Sequence, residues 1–357
     1  MNITNTSTFK LPSVRGRQAG DEYFSSMVKI SEAVKLFQIA NQDLLPEERA
    51  QRKVNTRRVN GLVKYILLNQ NSYILPPIVV EADCNFAFSS FEDSEFGYLE
   101  MPMDAPIFIA DGQHRIKAFE QIIAEVEAIK EELISVVIYR YKNLKKSQSR
   151  FADINRNTKV PAKSLSLLYD HDDKWSDLCR GILKKTDLYN RLIEKEKNSC
   201  SGRSNKLFSL RDIYLMVKTI EQINSRAEKS LDFIKLQGNI YVFFEILAEN
   251  VLEWKRVYSG ISTAKDARDF TIATHNITLQ ALATIAGRFI VQGDEADIAK
   301  ETWYEYLKPL TQVDFSKVNP EIETIAIRDA KVIKNKETIN SLALHIQTQL
   351  QKKASVA

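Results

Sequence analysis

The first part of the chain alternates between helical and extended spacing of its apolar residues. Helices are predicted where apolar positions recur every three or four residues, over residues 29–40, 56–69 and 115–132. Strands are predicted at short β-branched runs, over residues 78–80, 107–109 and 134–141, with a further strand or hairpin within residues 83–103. This alternation is typical of an α/β domain, and Thr56 is the candidate N-cap of the second helix.

Beyond residue 151 the strand signals nearly vanish and helical periodicity takes over. The helices predicted there cover residues 162–169, 175–183, 210–224, 239–257, 271–292 and 294–307. A segment without an apolar run at residues 198–205 predicts a loop. We therefore expect an N-terminal α/β domain with a mixed sheet over residues 1–160 and an all-helical C-terminal domain over residues 161–357.

The amino-acid composition points to a globular protein but does not indicate which kind. With 44% hydrophobic and 27% charged residues, the chain has the make-up of an ordinary globular protein. No apolar run approaches the roughly 20 residues that span a bilayer, and the polar N-terminus lacks the apolar core of a signal peptide, so a cytoplasmic protein without membrane contact is expected. The three cysteines lack metal-binding spacing, His171 among neighbouring aspartates is interpreted as a solvated cluster, and no metal is predicted.

Charge is distributed unevenly along the sequence. Residues 1–75 carry 11 Lys/Arg against 6 Asp/Glu, residues 76–138 carry 3 against 13, and residues 139–206 carry 17 against 8. An acidic segment between two basic ones is compatible with a protein that turns one surface toward phosphates. It is equally compatible with charge pairing between the segments.

A glycine turn stands between a predicted strand and a predicted helix at residues 111–115. Gly112 can adopt backbone angles closed to other residues, and the N–H groups of the helix start point toward this turn. His114 and Arg115 add hydrogen-bond donors and charge at the same place. Together these features predict an anion site, most often one for phosphate. The structural alternative is that Asp111 caps the helix while Arg115 pairs with a nearby carboxylate.

These five residues, Asp111-Gly112-Gln113-His114-Arg115, resemble the signature of the DGQHR-domain family. The spacing of Gly112, Arg115 and Ala118 is also similar to that of the remote ParB and sulfiredoxin-like superfamily, in which this turn holds nucleotide phosphates. The resemblance implies that residues 112–115 contact phosphate, with ATP or CTP as candidate ligands. Gln113 stands where sulfiredoxins have their reactive cysteine, which excludes thiol chemistry at the turn.

Three further segments, at residues 11–24, 49–67 and 274–279, resemble DndB proteins within the DGQHR family. Membership implies a regulator of DNA phosphorothioation genes that binds duplex DNA upstream of them. The implied partners are this promoter DNA, other phosphorothioation proteins and a second copy of the chain. In the last segment, His275 is interpreted as a buried, hydrogen-bonded histidine rather than a catalytic one.

Two basic clusters are candidate DNA contacts, with a solvated charged surface as the alternative for each. The first surrounds the start of the second helix and contains Arg49, Arg52, Lys53, Arg57 and Arg58. The second follows the last predicted strand and includes Lys142, Lys145, Lys146, Arg150 and Lys159. In DGQHR and ParB-like domains a short asparagine-containing helix faces the phosphate turn, which implies that Asn155 and Arg156 contact the same ligand.

The leading hypothesis is a DNA-binding repressor whose turn binds a nucleotide. The alternative is an enzyme, a nucleoside-triphosphate hydrolase or DNA-processing activity, in which Asp111 would be the catalytic carboxylate. Because the turn offers one carboxylate and no second acid at a fixed spacing, the sequence favours the regulator, with Asp111 as a helix cap. A third hypothesis is a scaffold that docks modification enzymes through its helical domain.

Overall fold

A computed structural model describes residues 8–39, 53–156, 161–293 and 298–354. The chain folds into two compact units, Met1–Lys159 and Val160–Ala357. Each unit has its own hydrophobic core, so each is described by itself.

The described part of the N-terminal unit is built from eight strands, four helices and one 3₁₀ turn. The strands are β1 Thr8–Gln18, β2 Asp21–Lys29, β3 Phe37–Gln38, β4 Ile78–Ala82, β5 Ala87–Ser90, β6 Phe96–Pro102, β7 Ile107–Asp111 and β8 Leu133–Arg140. The helices are α1 Ile30–Leu36, α2 Thr56–Leu68, α3 Gln113–Ile122 and α4 Leu144–Arg156, with the 3₁₀ turn at Glu127–Glu131.

The eight strands form one sheet in the order β3-β7-β4-β8-β2-β1-β6-β5. Strand β8 is parallel to β4 on one side and antiparallel to β2 on the other, so the sheet is mixed. Its apolar face packs with α2 and α3, which contribute the fully buried Ile66 and Phe119 to the same core. The predicted α/β class with a mixed N-terminal sheet is therefore confirmed.

The hairpin of β1 and β2 was not predicted from the pattern. Its turn consists of Ala19 and Gly20, both with positive φ (48° and 80°), which matches the right-handed twist of paired strands. Of the 11 residues of β1, only Thr8 and Val14 are of the β-branched type that marks a strand, and Pro12 lies in its middle. The signal that was available is the glycine of the turn between two segments of similar length.

The described part of the C-terminal unit consists mainly of helices. They are α5 Lys163–Tyr169, α6 Lys174–Lys185, α7 Asp187–Leu192, α8 Leu210–Asn224, α9 Phe233–Asn250, α10 Leu252–Tyr258, α11 Ala264–Phe270, α12 Asn276–Gln292, α13 Lys300–Leu307, α14 Pro320–Ala326 and α15 Lys336–Ala354. Two pairs of two-residue strands are added, namely β9 Ile193–Glu194 with β10 Phe208–Ser209 and β11 Ile327–Arg328 with β12 Lys331–Val332. Apart from these pairs, the helical prediction is confirmed.

Several predicted helices are shorter than expected, for identifiable reasons. The first ends at Leu36 because the next residues join the sheet as β3. Helix α3 ends at Ile122, and Val126 beyond it is extended (φ −124°, ψ 95°). The helix predicted over residues 239–257 breaks at Val251, which is also extended. Helix α12 starts at Asn276 because residues 271–272 bond to the backbone of residues 315–316.

Candidate phosphate site

The predicted strand, glycine turn and helix start are present at residues 111–113. Strand β7 ends at Asp111, Gly112 adopts φ +111°, and α3 begins at Gln113. A Cβ at Gly112 would lie 3.0 Å from Arg115 Nη2 and 3.1 Å from Ile78 Cγ1. The backbone angle therefore favours glycine, and a side chain at this position would also crowd Arg115 and Ile78.

Arg115 lies folded over this turn. Its side chain is 12% exposed, and Nη2 donates to Asp111 Oδ2 at 2.7 Å and to the carbonyl of Pro77 at 3.2 Å. Its Nε is buried and has no hydrogen-bond partner among the described groups. The N-cap of α3 is Gly112, without a side-chain cap, so the interpretation of Asp111 as the cap is wrong; its carboxylate is held by Arg115 instead.

His114 connects the start of α3 to the start of α2. Its Nε2 accepts a hydrogen bond from the backbone N–H of Asn55 at 3.0 Å. Asn55 is the N-cap of α2, since its Oδ1 accepts from the N–H of Arg58 at 3.2 Å, and the proposed cap Thr56 is the first helical residue. Burial, then the charge of Arg58, lowers the pKa of His114, so the histidine adds no positive charge here.

A cleft of about 410 Å³ opens where these two helix starts meet. Neither helix has an acidic residue in its first turn, so both positive dipole ends face the cleft uncompensated. The cleft is lined by Lys53, Asn55, Arg58, Leu62, Leu75, Pro76, Ala110, Asp111, Gly112, Gln113, His114, Arg115, Phe151 and Asn155. Three cations thus stand against one carboxylate, which is itself paired with Arg115.

The cleft brings together some of the predicted ligand contacts and leaves others outside. Asn155, on α4, lines it as the resemblance implies, with its Nδ2 donating to the carbonyl of Phe151 at 2.8 Å. Arg156 is exposed and does not line the cleft. Arg57 is exposed at the first turn of α2, also outside the lining. The predicted contacts Arg49, Arg52 and Lys159 lie outside the described residues.

The basic cluster on and before α4 is partly neutralised by two acids from distant strands. Asp21 of β2 accepts from Lys142 at 2.5 Å, and Lys146 lies 3.3 Å from it. Arg150 contacts Asp21 and Glu81, and its side chain is only 9% exposed. Lys145 is exposed and makes no ion pair with the described residues. Arg150 is thus a buried ion-pair partner, and we do not retain it among candidate DNA contacts.

The Asp21 cluster predicts a measurable pH dependence of folding. Hydrogen bonds from Lys142 and Lys146 lower the pKa of Asp21 to about 2. The stabilisation is therefore complete above the carboxyl's unfolded value of 3.8 and is lost as the pH falls through 2. We expect Asp21→Asn to cost about 1 kcal/mol at neutral pH, allowing for solvent screening.

Urea unfolding of Asp21→Asn and the wild type between pH 7 and pH 2 measures this effect. The difference in unfolding free energy should shrink toward zero at the acid end. Glu22→Gln, next in sequence but exposed, is the control and should leave the wild-type profile unchanged. A difference for Asp21→Asn that stays constant with pH would contradict the assignment.

The described residues also bear on the predictions about membranes, metals and thiols. None of their helices combines the length and apolar character needed to cross a bilayer. No group of three or more His, Cys, Asp or Glu side chains among them is placed to share a metal ion. Burial raises the pKa of Cys84 and Cys200, and raises that of Cys179 to about 12, so these thiols stay protonated at neutral pH.

Comparison with protein families gives a match that covers nearly the whole chain. The model of the DndB family, described as DNA-sulfur modification-associated, matches residues 11–353. Comparisons with curated proteins and with solved structures give no significant match. The match includes both compact units and the Asp111–Arg115 turn, and it agrees with the resemblance found in the sequence. The chain therefore belongs to the DndB family of proteins associated with DNA sulfur modification.

Proposed function

We propose that this protein is a cytoplasmic DNA-binding regulator, a repressor, of DNA phosphorothioate modification genes. In this proposal the cleft at the Asp111–Arg115 turn binds the phosphates of a nucleotide. The observation that carries it is the convergence of two helix starts, both without an acidic residue, with Lys53, Arg58 and Arg115 on one cleft. Family membership supplies the link to DNA sulfur modification.

Exposed cations support the DNA-binding part of the proposal. Lys53, Arg57, Arg58 and Lys145 are exposed and make no ion pair with the described residues. Unpaired surface cations at a helix N-terminus are unfavourable for the free protein and become favourable when they meet phosphates. Lys142 and Lys146 remain candidates because both are about half exposed although they share Asp21.

The test is a binding survey with the purified full chain. Duplex DNA from the promoter of the modification genes, an unrelated duplex of equal length, ATP and CTP are titrated singly and then in pairs. We expect tighter binding to the promoter than to the unrelated duplex, and a nucleotide that changes the promoter affinity. Equal affinity for both duplexes would contradict the proposal of a promoter-specific regulator. If neither ATP nor CTP binds, the proposal that the cleft holds a nucleotide is contradicted.

Arg58 and Arg57 form a matched pair for testing the cleft. Both are exposed in the first turn of α2, but only Arg58 lines the cleft. Since a hydrogen bond to a charged group contributes about 1.5–3 kcal/mol, Arg58→Gln should weaken nucleotide binding about 10- to 100-fold. Arg57→Gln should leave it nearly unchanged. Isothermal titration with the nucleotide found in the survey measures both, and equal losses would place the ligand elsewhere.

A hydrolase is the second candidate function, because Asp111 lines the same cleft. Its carboxylate is engaged by Arg115 at 2.7 Å, which favours a role in positioning that arginine over one as a general base. We expect no sustained nucleotide turnover by the wild type, with or without DNA. If turnover occurs and Asp111→Asn lowers it by about two orders of magnitude or more, the enzyme hypothesis replaces the pure regulator.

A further inference from the structure

A second cleft, of about 420 Å³, lies within the helical C-terminal unit. It is lined by the loop residues Asn198, Ser199 and Cys200, by Leu207, Phe208, Arg211, Asp212 and Leu215 around the start of α8, and by Arg268, Thr274, His275, Asn276 and Lys334. The segment Thr274-His275-Asn276 belongs to one of the sequence stretches that resemble DndB proteins, and the proposed function gives it no role. The cleft is within the usual size range of small-ligand sites.

The charge of this cleft is positive. Arg211 and Lys334 are exposed and make no ion pair with the described residues. Arg268 donates to the backbone carbonyls of residues 202, 204 and 206, and no carboxylate among the described residues forms an ion pair with it. Asp212 is the acid in the lining, and it is occupied by the capping box of Ser209 and by Asn276 Nδ2 at 3.2 Å.

Two polar groups in the wall lack partners among the described residues. Thr274 is 7% exposed, and its buried Oγ1 has no hydrogen-bond partner. The Nε of Arg268 is likewise buried and unpartnered. Nearly all buried polar groups in proteins are hydrogen-bonded, so two such groups without a partner in the wall of one cleft favour a ligand that accepts hydrogen bonds there.

The start of α12 points the same way. This helix of 17 residues has His275 as N-cap without a side-chain cap bond, and no acidic residue in its first turn. No acid in its own first turn therefore compensates its positive dipole end at the wall of the cleft, and the carboxylate of Asp212 reaches this helix start only through Asn276 Nδ2. His275 donates from Nε2 to the carbonyl of Arg268 at 3.2 Å, which ties the helix start to the arginine. Burial lowers the pKa of His275, so the neutral ring contributes no positive charge to the cleft at neutral pH.

We propose that this cleft binds the phosphate group of a small molecule, through Arg211, Arg268, Lys334, the hydroxyl of Thr274 and the start of α12. The phosphate can come from inorganic phosphate or from a nucleoside monophosphate. Such a ligand would give the regulator a second site, separate in the chain from the turn at residues 111–115. The proposal goes beyond the DNA-binding function and does not depend on it.

Cys200 lines the cleft and provides a readout specific to it. Iodoacetamide alkylation of the intact protein at mildly alkaline pH is followed by mass spectrometry of the peptides that contain each cysteine. We expect millimolar phosphate to slow alkylation of Cys200 several-fold relative to chloride at equal ionic strength. Alkylation of Cys84, in the N-terminal unit, should not change. Binding at the first cleft alone would leave Cys200 unprotected, so the two proposals fail separately.

Variants of residues that line the cleft test whether the protection of Cys200 arises from phosphate bound there. The double variant Arg211→Gln and Lys334→Gln should weaken the protecting affinity about tenfold or more, since both charges act on the phosphate oxygens. Lys331→Gln, an exposed lysine outside the lining, is the control and should behave as wild type. Thr274→Val should weaken protection while keeping the side-chain shape.

The alkylation experiment is repeated with inorganic phosphate, with a nucleoside monophosphate and with short duplex DNA, to identify which of the three ligands protects Cys200. Protection by inorganic phosphate alone, or also by a nucleoside monophosphate, supports the proposal and fixes the size of the ligand. Protection by short duplex DNA without protection by either small ligand would overturn it in favour of a DNA surface. No protection of wild-type Cys200 by any of the three, or full protection in the double variant, would also overturn it.

Discussion

The affinity of the protein for duplex DNA should fall steeply as the salt concentration rises. If about six phosphates are contacted, the affinity falls about a thousandfold between about 50 and 200 mM salt, because binding releases condensed counterions. In our proposal most of these contacts come from four exposed cations that form no ion pair within the described part of the chain, namely Lys53, Arg57, Arg58 and Lys145. Fluorescence anisotropy at a series of salt concentrations gives the slope. An affinity that is indifferent to salt would contradict a phosphate-facing surface.

One lysine can be used to calibrate that slope. Lys145→Gln removes a charge that no described acid neutralises, so it should lower the slope by about one and weaken all DNA sequences alike. Lys130→Gln is the control, because Lys130 is paired with Glu127 at 2.6 Å on a 3₁₀ turn. Equal effects of the two variants would mean that the cluster on α4 does not face DNA.

Arg150→Met should destabilise the N-terminal unit by about 3–5 kcal/mol, the range found when one partner of a buried ion pair is removed. Glu81 is 2% exposed and is held by Arg150 and by the hydroxyl of Ser147. Without the arginine, a charged carboxylate stays buried with one hydroxyl donor. The guanidinium also lies over the ring of Tyr139, 4.2 Å from its centroid, and that contact is lost too.

Denaturant unfolding measures the loss of stability in Arg150→Met and in Lys145→Met, a control on the same helix. The control removes an exposed lysine and should cost no more than about 0.5 kcal/mol. Adding Glu81→Gln to Arg150→Met should recover part of the loss, because the buried charge is then gone. A cost below about 1 kcal/mol for Arg150→Met, with no recovery in the double variant, would show that Glu81 is not a buried anion.

The candidate site could be predicted from the sequence where its signals are local. The turn at Gly112 combines a β-branched run, a glycine and a helix start within ten residues, and the structure has each in place. Helix α8 is another local success, since its predicted bounds, Leu210 and Asn224, agree with the structure. Its apolar stripe and the capping box of Ser209 and Asp212 are all contained in one short segment.

What the sequence could not predict depends on pairing between distant segments. The sequence left open whether the excess of cations at residues 139–206 is paired, and Asp21 and Glu81 neutralise part of it from strands far away in the chain. In the same way, no pattern in the sequence indicates the hydrogen bond between the backbone of Asn55 and His114. This contact brings two helix starts to one cleft. Charge counts along a chain therefore overestimate the exposed charge wherever a sheet joins remote strands.

Strand β8 has a consequence for how this unit is made on the ribosome. It lies between β4 and β2, so it alone among the described strands joins the three strands on one side of the sheet to the four on the other. The pairs that it forms, such as Phe24 with Ile138, link segments synthesised far apart in time. A nascent chain that has not reached Arg140 thus lacks the strand that joins the two parts of the sheet, and its core is unfinished. Any sheet that forms before β8 emerges has an unpaired edge, and such an edge exposes a folding chain to aggregation.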